Sequence, residues 1–195
     1  MNCFQASRVA VAVIFATLVV AGCGSSNKSS GNGGQSSAEA KSAATGDIPD
    51  NQVFLTFRNP AAPYSIVYPE GWARRGGGAD ITLRDKQNVI HVVVARGPRP
   101  TPTSVRTELA RLRRSDPSLS AGVPHTVKIR GRPVVKVTYR KRGPADPVTA
   151  KRLTLTIDRY VYARGGQRAT LDLATPVGVD NVDAYRMISQ SFRWK

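Results

Sequence analysis

From Val53 onward the chain alternates. Apolar and polar residues take turns along short runs, and glycines and prolines separate the runs. A period of two sends successive side chains to opposite faces of a strand. The pattern therefore commits the chain to sheets. Val53 to Phe57 alternates until Asn59-Pro60 breaks the run. Tyr64, Ile66 and Tyr68 share one face of the next strand. Pro69 has no amide to donate and ends it, Gly71 turns the chain, and Trp72 folds back as an apolar plug. Arg74 to Gly78 reads as a basic, glycine-rich turn of the kind whose amides form an anion nest. No Lys-Ser or Lys-Thr pair follows, so a nucleotide phosphate loop is not supported. Asp80 to Leu83 and Asn88 to Ala95 are two predicted strands. In the second, Val89, His91 and Val93 take one phase and Ile90, Val92 and Val94 the other, which predicts cover on both faces.

Two stretches depart from that period. After the proline-rich connector Gly97 to Thr103, Val105, Leu109 and Leu112 recur at helical spacing and are expected to face the sheet. Thr101 before Pro102 suits the start of this helix, with Ser104 as a rival cap. Arg106, Arg111, Arg113 and Arg114 fan around its outer side. Near the end, Asp180 is the expected cap of a second helix that buries Tyr185 and Ile188. Between the helices, Val123 to Thr138 reads as a hairpin turning at Gly131-Arg132-Pro133. Leu153, Leu155 and Ile157 begin a strand that continues through Tyr160 and Tyr162 to a two-residue turn at Gly165-Gly166. Ala169, Leu171 and Leu173 return, and Phe192 and Trp194 close the chain as a short strand or latch.

The region before Val53 is different in kind. Arg8 precedes an apolar run, Val9 to Val20, which Ala21-Gly22-Cys23 closes. About a dozen apolar residues suit a cleaved secretory signal, whereas a spanning helix needs roughly 20. A small-residue approach to a cysteine at this point is similar to a bacterial lipoprotein signal. That resemblance implies loss of residues 1–22, a diacylglyceryl thioether on Cys23, and a further acyl chain of the palmitate type on its amine. Two or more chains anchor a protein stably. The expected location is the extracytoplasmic face of the cell membrane. The alternatives are a plain secretory signal with Cys23 incidental, or a retained helical anchor. Residues 23–52 are rich in Ser, Gly and Ala and hold too little apolar surface to order themselves. As a flexible coil of roughly 29 residues they reach roughly 30 Å, a tether for the domain 53–195.

Both cysteines, Cys3 and Cys23, lie upstream of that domain. Its core is therefore held without disulfides, and a cysteine nucleophile or thiolate metal site is excluded. The roughly 143 residues suffice for one core. Three of the 29 basic residues (Arg8, Lys28, Lys41) and three of the 13 acids (Glu39, Asp47, Asp50) precede Val53, so the whole +16 belongs to the domain. Outside a membrane the polyanions within reach are anionic lipid head groups, wall polymers and acidic proteins. No nucleic acid is expected there. The densest charge lies on the second hairpin and beyond it. Lys128 and Arg130 alternate with Val127 and Ile129, and Lys136 and Arg140 with Val135, Val137 and Tyr139. These four cations are expected as a ladder on one face, continued by Lys141 and Arg142 into a Gly-Pro loop that ends near Lys151 and Arg152. Like charges across a hairpin repel, so water, an acid or a ligand must offset them.

The strand ending YSIVYPEGW, the late GGQRATLDLATP hairpin strand and the terminal SFRW, with one helix in the middle and one near the end, resemble the PsbP-like family. Its fold is shared with the Ran-binding Mog proteins and with actinobacterial Lpq-type lipoproteins. The resemblance spans Phe54 to Trp194. It implies an α+β fold, with an antiparallel sheet of about six or seven strands flanked by two main helices in an α/β/α sandwich. It also implies a non-catalytic assembly or binding role, and lipid binding in some bacterial members. A monomer without cofactor, metal or catalytic residues is expected, using its basic face for an anionic partner. One alternative is a carrier whose cavity is lined by Trp72, Tyr160 and Tyr162. The other is a hydrolase using His91 or His125. Neither a GxSxG elbow nor an HExxH pair is present.

Overall fold

A computed structural model describes residues 46–145 and 150–195. The leader, Cys23 and the linker up to residue 45 lie outside the described residues. The strands are β1 (Phe54–Arg58), β2 (Tyr64–Pro69), β3 (Ala73–Gly77), β4 (Asp80–Asp85), β5 (Asn88–Arg96), β6 (Ser120–Ala121), β7 (His125–Ile129), β8 (Arg132–Ala145), β9 (Arg152–Arg164), β10 (Gln167–Pro176) and β11 (Arg193–Trp194). Helix α1 (Pro102–Ser115) follows β5, and α2 (Val182–Ser191) follows β10. The main sheet has eight strands in the order β3-β4-β5-β10-β9-β8-β6, with β7 also paired to β8. A separate sheet has the order β1-β2-β11. Neighbouring strands run antiparallel. The main sheet exceeds the expected size because Arg74 to Gly77 is a paired edge strand, not a turn. Only Gly78 and Ala79 turn there.

Period-two alternation splits the core into two layers. On one face of the main sheet, Ile90, Val92, Leu171, Leu173, Tyr160 and Tyr162 pack with Phe57, Tyr64 and Ile66 of the small sheet and with Tyr185 and Ile188 of α2. On the other, Val105 and Leu109 of α1 meet Val135, Val137, Leu155, Ile157 and Val161. Leu112, expected to face the sheet, is 40% exposed. It lies in the last turn of α1, beyond the contact made by Val105 and Leu109. The start of α1 is as the sequence predicts: Ser104 N donates to Thr101 Oγ1 (3.1 Å) and Thr101 N to Ser104 Oγ (3.0 Å). Each caps the other's free amide.

Polar groups tie the layers together. On the α1 side, Arg159 donates from Nε and Nη2 to the two oxygens of Asp172 (2.7 and 2.6 Å), and Tyr139 Oη donates to the same carboxylate (3.2 Å). Burial alone would lower the Arg159 pKa, but its bonds to Asp172 outweigh that and the net direction is upward. Burial first, then the Asp172 charge, push the Tyr139 phenol up. Arg168 grips Glu108 of α1 in the same two-pronged way, at 2.6 Å on each prong. At the other end, Asn181 precedes α2 in place of the expected Asp180, yet its side chain does not cap the helix. It accepts from Ile48 N (2.7 Å) and donates to Thr175 Oγ1 (2.9 Å) and Asn88 Oδ1 (3.2 Å). Residues 46–48 are therefore part of the fold, which begins before the Val53 boundary drawn from the sequence. Their few apolar side chains mattered less than the polar hub they satisfy.

Two turns explain register. At Gly165-Gly166 both φ angles are positive (56° and 72°), as a two-residue hairpin turn requires. The β7–β8 turn is built likewise by Arg130 and Gly131 (φ 50° and 73°). It falls one residue earlier than the sequence suggested, and Pro133 pairs with Lys128. Gly143 and Pro144, expected in a loop, belong to β8. The register of β8 on β9 shifts between Arg142 and Ala145, where the proline has no amide for the ladder.

A candidate anion-binding face

The one-residue move of the β7–β8 turn redistributes the cations. Lys128 opposes Pro133 and His125 opposes Lys136. A slip of one residue sends a side chain to the other face. The four-membered ladder of Lys128, Arg130, Lys136 and Arg140 therefore does not form. Val127 and Ile129 pack toward the layer of α2, so Lys128 lies on the α1 side. Arg130 sits in the turn, where Nε donates to Gln190 O at the end of α2 (3.1 Å). Val135, Val137 and Tyr139 are buried toward α1, which puts Lys141 on that side too. Lys136, Arg140 and Arg142 project from the opposite face. Arg152, the first residue of β9, follows the same alternation as Thr154 and Thr156, and its Nη1 donates to Gly143 O (3.1 Å). Lys151 stands exposed just before β9.

Within that face the cations differ. Lys136 is committed: Nζ lies 3.0 Å from Asp158 Oδ2 and 5.1 Å from the centre of the Tyr160 ring. Burial pulls its pKa down, but the bonds to Asp158 and Tyr160 prevail and the net direction is up. Thr138 Oγ1 donates to the other oxygen of Asp158. Arg140 and Arg142 are exposed, and no acid among the described residues forms an ion pair with either. They stand two residues apart on one strand, roughly 7 Å, and face Thr156 and Thr154 across the ladder. Forked guanidinium donors beside hydroxyl donors match the oxygens of a phosphate or carboxylate. Next to them opens a cavity of about 380 Å³ with Lys136, Thr156 and Asp158 on the sheet side and Val182 and Arg186 of α2 opposite.

The other candidate residues do not converge. Trp72 is buried in the core and lines none of the four cavities described. Tyr160 and Tyr162 stack on each other, centroids 6.4 Å apart, and Tyr162 stacks on Phe192 at 4.3 Å. Tyr162 Oη donates to Ser189 O (2.7 Å), and burial pushes its pKa well up. Tyr160 borders the cavity of about 380 Å³ and Tyr162 a separate one of about 130 Å³. The three aromatic residues therefore do not line one shared cavity, as drawn for a carrier. His91 Nε2 lies 2.8 Å from Asp80 Oδ1 on the open sheet surface, with 35% and 67% of the side chains exposed. His125 Nδ1 is 3.2 Å from Val123 O. Neither borders any of those cavities. No three His, Cys, Asp or Glu side chains cluster for a metal among the described residues, nor is any helix among them long and apolar enough to cross a membrane.

Sequence reasoning missed an opening of about 580 Å³ over the outer face of β1 and β2. Phe54, Thr56, Ser65 and Val67 form its floor, Met187 and Gln190 of α2 a wall, and Arg130 and Arg193 one end. Partial burial and the adjacent Arg130 charge lower the Arg193 pKa. These residues come from four distant stretches, so no local pattern marks them.

Two antiparallel sheets, one helix on each side of the larger, and a C-terminal strand returning to β2 define the PsbP-like fold. It is similar to the solution structure of cyanobacterial PsbP (CyanoP) from Synechocystis sp. PCC 6803, with a TM-score of 0.51 at 15% identity over 78% of this chain and 99% of that one. The Ran-binding protein Mog1p of Saccharomyces cerevisiae aligns with a TM-score of 0.47 at 11% identity, over 74% of this chain and 96% of that one. No family model matches the chain, and no curated protein matches it by sequence.

Proposed function

We propose that the chain is a non-catalytic binding module, tethered by lipid on Cys23 to the extracytoplasmic face of the cell membrane, whose β8–β9 face holds an anionic partner. The observation that carries the reading is the pair Arg140 and Arg142, projecting together beside Thr154 and Thr156 with no ion pair to an acid among the described residues. The partner is recognised by phosphate or carboxylate oxygens, as in lipid head groups, wall polymers or acidic proteins. A tether of roughly 30 Å lets the domain search that layer. The fold's likeness to cyanobacterial PsbP is compatible with a non-enzymatic role, and neither histidine borders any of the four cavities described.

The test uses the full-length chain with Cys23→Ser, so that no lipid contributes, and vesicles of phosphatidylcholine with and without phosphatidylglycerol. Binding should require the anionic lipid and weaken steeply with salt. Each Lys or Arg near an anionic leaflet contributes about 1 kcal/mol, so Arg140→Ser with Arg142→Ser should weaken binding about 30-fold. Lys128→Ser with Lys141→Ser, on the other face, should change it less. Equal losses for the two pairs would mean overall charge and no particular face, and the reading would fall.

A further inference from the structure

The small sheet ends in a strand whose outer edge no described residue covers. Among the described residues β1 pairs only with β2, and ladder bonds at Glu70 N to Val53 O (2.8 Å) and Asn59 N to Tyr64 O (3.0 Å) fix which residues turn inward. By antiparallel alternation, Val53, Leu55, Phe57 and Asn59 bond to β2, and Phe54, Thr56 and Arg58 aim amide and carbonyl at the open side. No hydrogen bond among the described residues reaches them there. Exposed edges are normally blunted by lysine, proline or a bulge. Phe54 to Phe57 has none of these, and Val53, Leu55 and Met187 are 55%, 39% and 45% exposed around it.

Charge along this edge is segregated. Asp50, Asp180 and Asp183 surround a cavity at the start of β1 that Phe54 also lines. Arg58 ends the strand and is the positive charge on the edge itself, while Arg193, across β2 on β11, and Arg130 beside it make the same end of the sheet basic. A strand laid antiparallel against β1 should therefore carry acid at its own start and base at its own end. That is the order of this chain's own segment, Asp50 to Arg58.

We propose that two copies of the chain pair through β1 across a two-fold axis at Thr56. Phe54 then opposes Arg58 of the second copy, Thr56 opposes Thr56, and the three outward-facing residues each exchange amide and carbonyl bonds. The two small sheets become one of six strands, and each acidic end meets the other copy's basic end. This departs from the monomer expected from the sequence and is independent of the anion-binding face. With a net charge of +16 per copy, association needs salt near physiological strength, where the Debye length is about 8 Å.

The experiment uses the full-length chain with Cys3→Ser and Cys23→Ser. Sedimentation over a range of concentrations at about 0.15 M salt should show a monomer–dimer equilibrium. Adding Thr56→Cys should give a disulfide-linked dimer on mild oxidation, because an opposed hydrogen-bonded pair has Cα atoms about 5.5 Å apart, within disulfide reach. Arg75→Cys on the edge strand β3 serves as the control and should not cross-link. Thr56→Pro removes only an outward amide and should weaken the dimer about tenfold or more, with circular dichroism confirming the fold. A chain that stays monomeric throughout, or a dimer that neither cross-links at Thr56 nor responds to Thr56→Pro, overturns the proposal. An edge filled by a different protein would appear as the first of these.

Discussion

Replacing Asp172 by alanine tests the reasoning most directly. Arg159 and Asp172 are 12% and 14% exposed, their contacts are 2.6 and 2.7 Å long, and Tyr139 Oη joins them from the next strand but one. Removing the carboxylate leaves a buried guanidinium with no counter-charge and a buried phenol without its acceptor. Breaking a buried pair from one side costs about 3–5 kcal/mol. A domain of this size has about 5–15 kcal/mol in hand. The melting temperature should fall by about 6–20 °C, and the urea midpoint should shift with little change in slope. The triple variant Arg159→Met, Asp172→Leu, Tyr139→Phe removes every partner together. It should return to within about 1–2 kcal/mol of the parent, since a buried pair and an apolar replacement of similar volume are close in free energy. Equilibrium urea unfolding of the full-length chain provides the assay. If Asp172→Ala costs less than about 1 kcal/mol, the pair is solvated like a surface bridge and the layer on the α1 side is looser than its geometry indicates.

Other outcomes follow from single contacts. Ser118 donates from Oγ and N to Asp116 Oδ1 (2.5 and 3.1 Å), and with Lys141 nearby it holds that exposed carboxyl below its ordinary range. A depressed folded value contributes stability above the unfolded pKa of about 4, lost as pH falls through the folded value. Ser118→Ala should raise the Asp116 pKa toward ordinary in a carboxyl NMR titration; an unchanged midpoint would assign the shift elsewhere. Asn181→Ala leaves Ile48 N without its acceptor and Asn88 Oδ1 with Thr175 Oγ1 as its remaining donor, costs about 2 kcal/mol, and should speed proteolytic cleavage around residues 46–52; an unchanged cleavage rate would show that other contacts hold that segment.

The sequence was most legible where one local rule decides. Thr101 before Pro102 announced the start of α1, the glycine pair at 165–166 announced its turn, and the buried residues of β10 followed directly from alternation. It was least legible where one position sets the phase of many. Moving the β7–β8 turn from Gly131-Arg132-Pro133 to Arg130-Gly131 dissolved the ladder of four cations and left Arg140 and Arg142 as the exposed pair. Asp180 was the expected start of α2, and nothing local marked Asn181, whose partners at Ile48, Asn88 and Thr175 lie in three other stretches.

By itself the sequence determined an α+β protein of antiparallel strands with two helices, a body without thiols and a net charge of +16, because periodicity, cysteine position and charge are properties of the chain alone. Only the tertiary structure decided which cations share a face, that Trp72, Tyr160 and Tyr162 do not line one shared cavity, and that β1 has an open edge among the described residues. Those are matters of register and of contacts between distant residues. A shift of one residue reverses them without changing the composition.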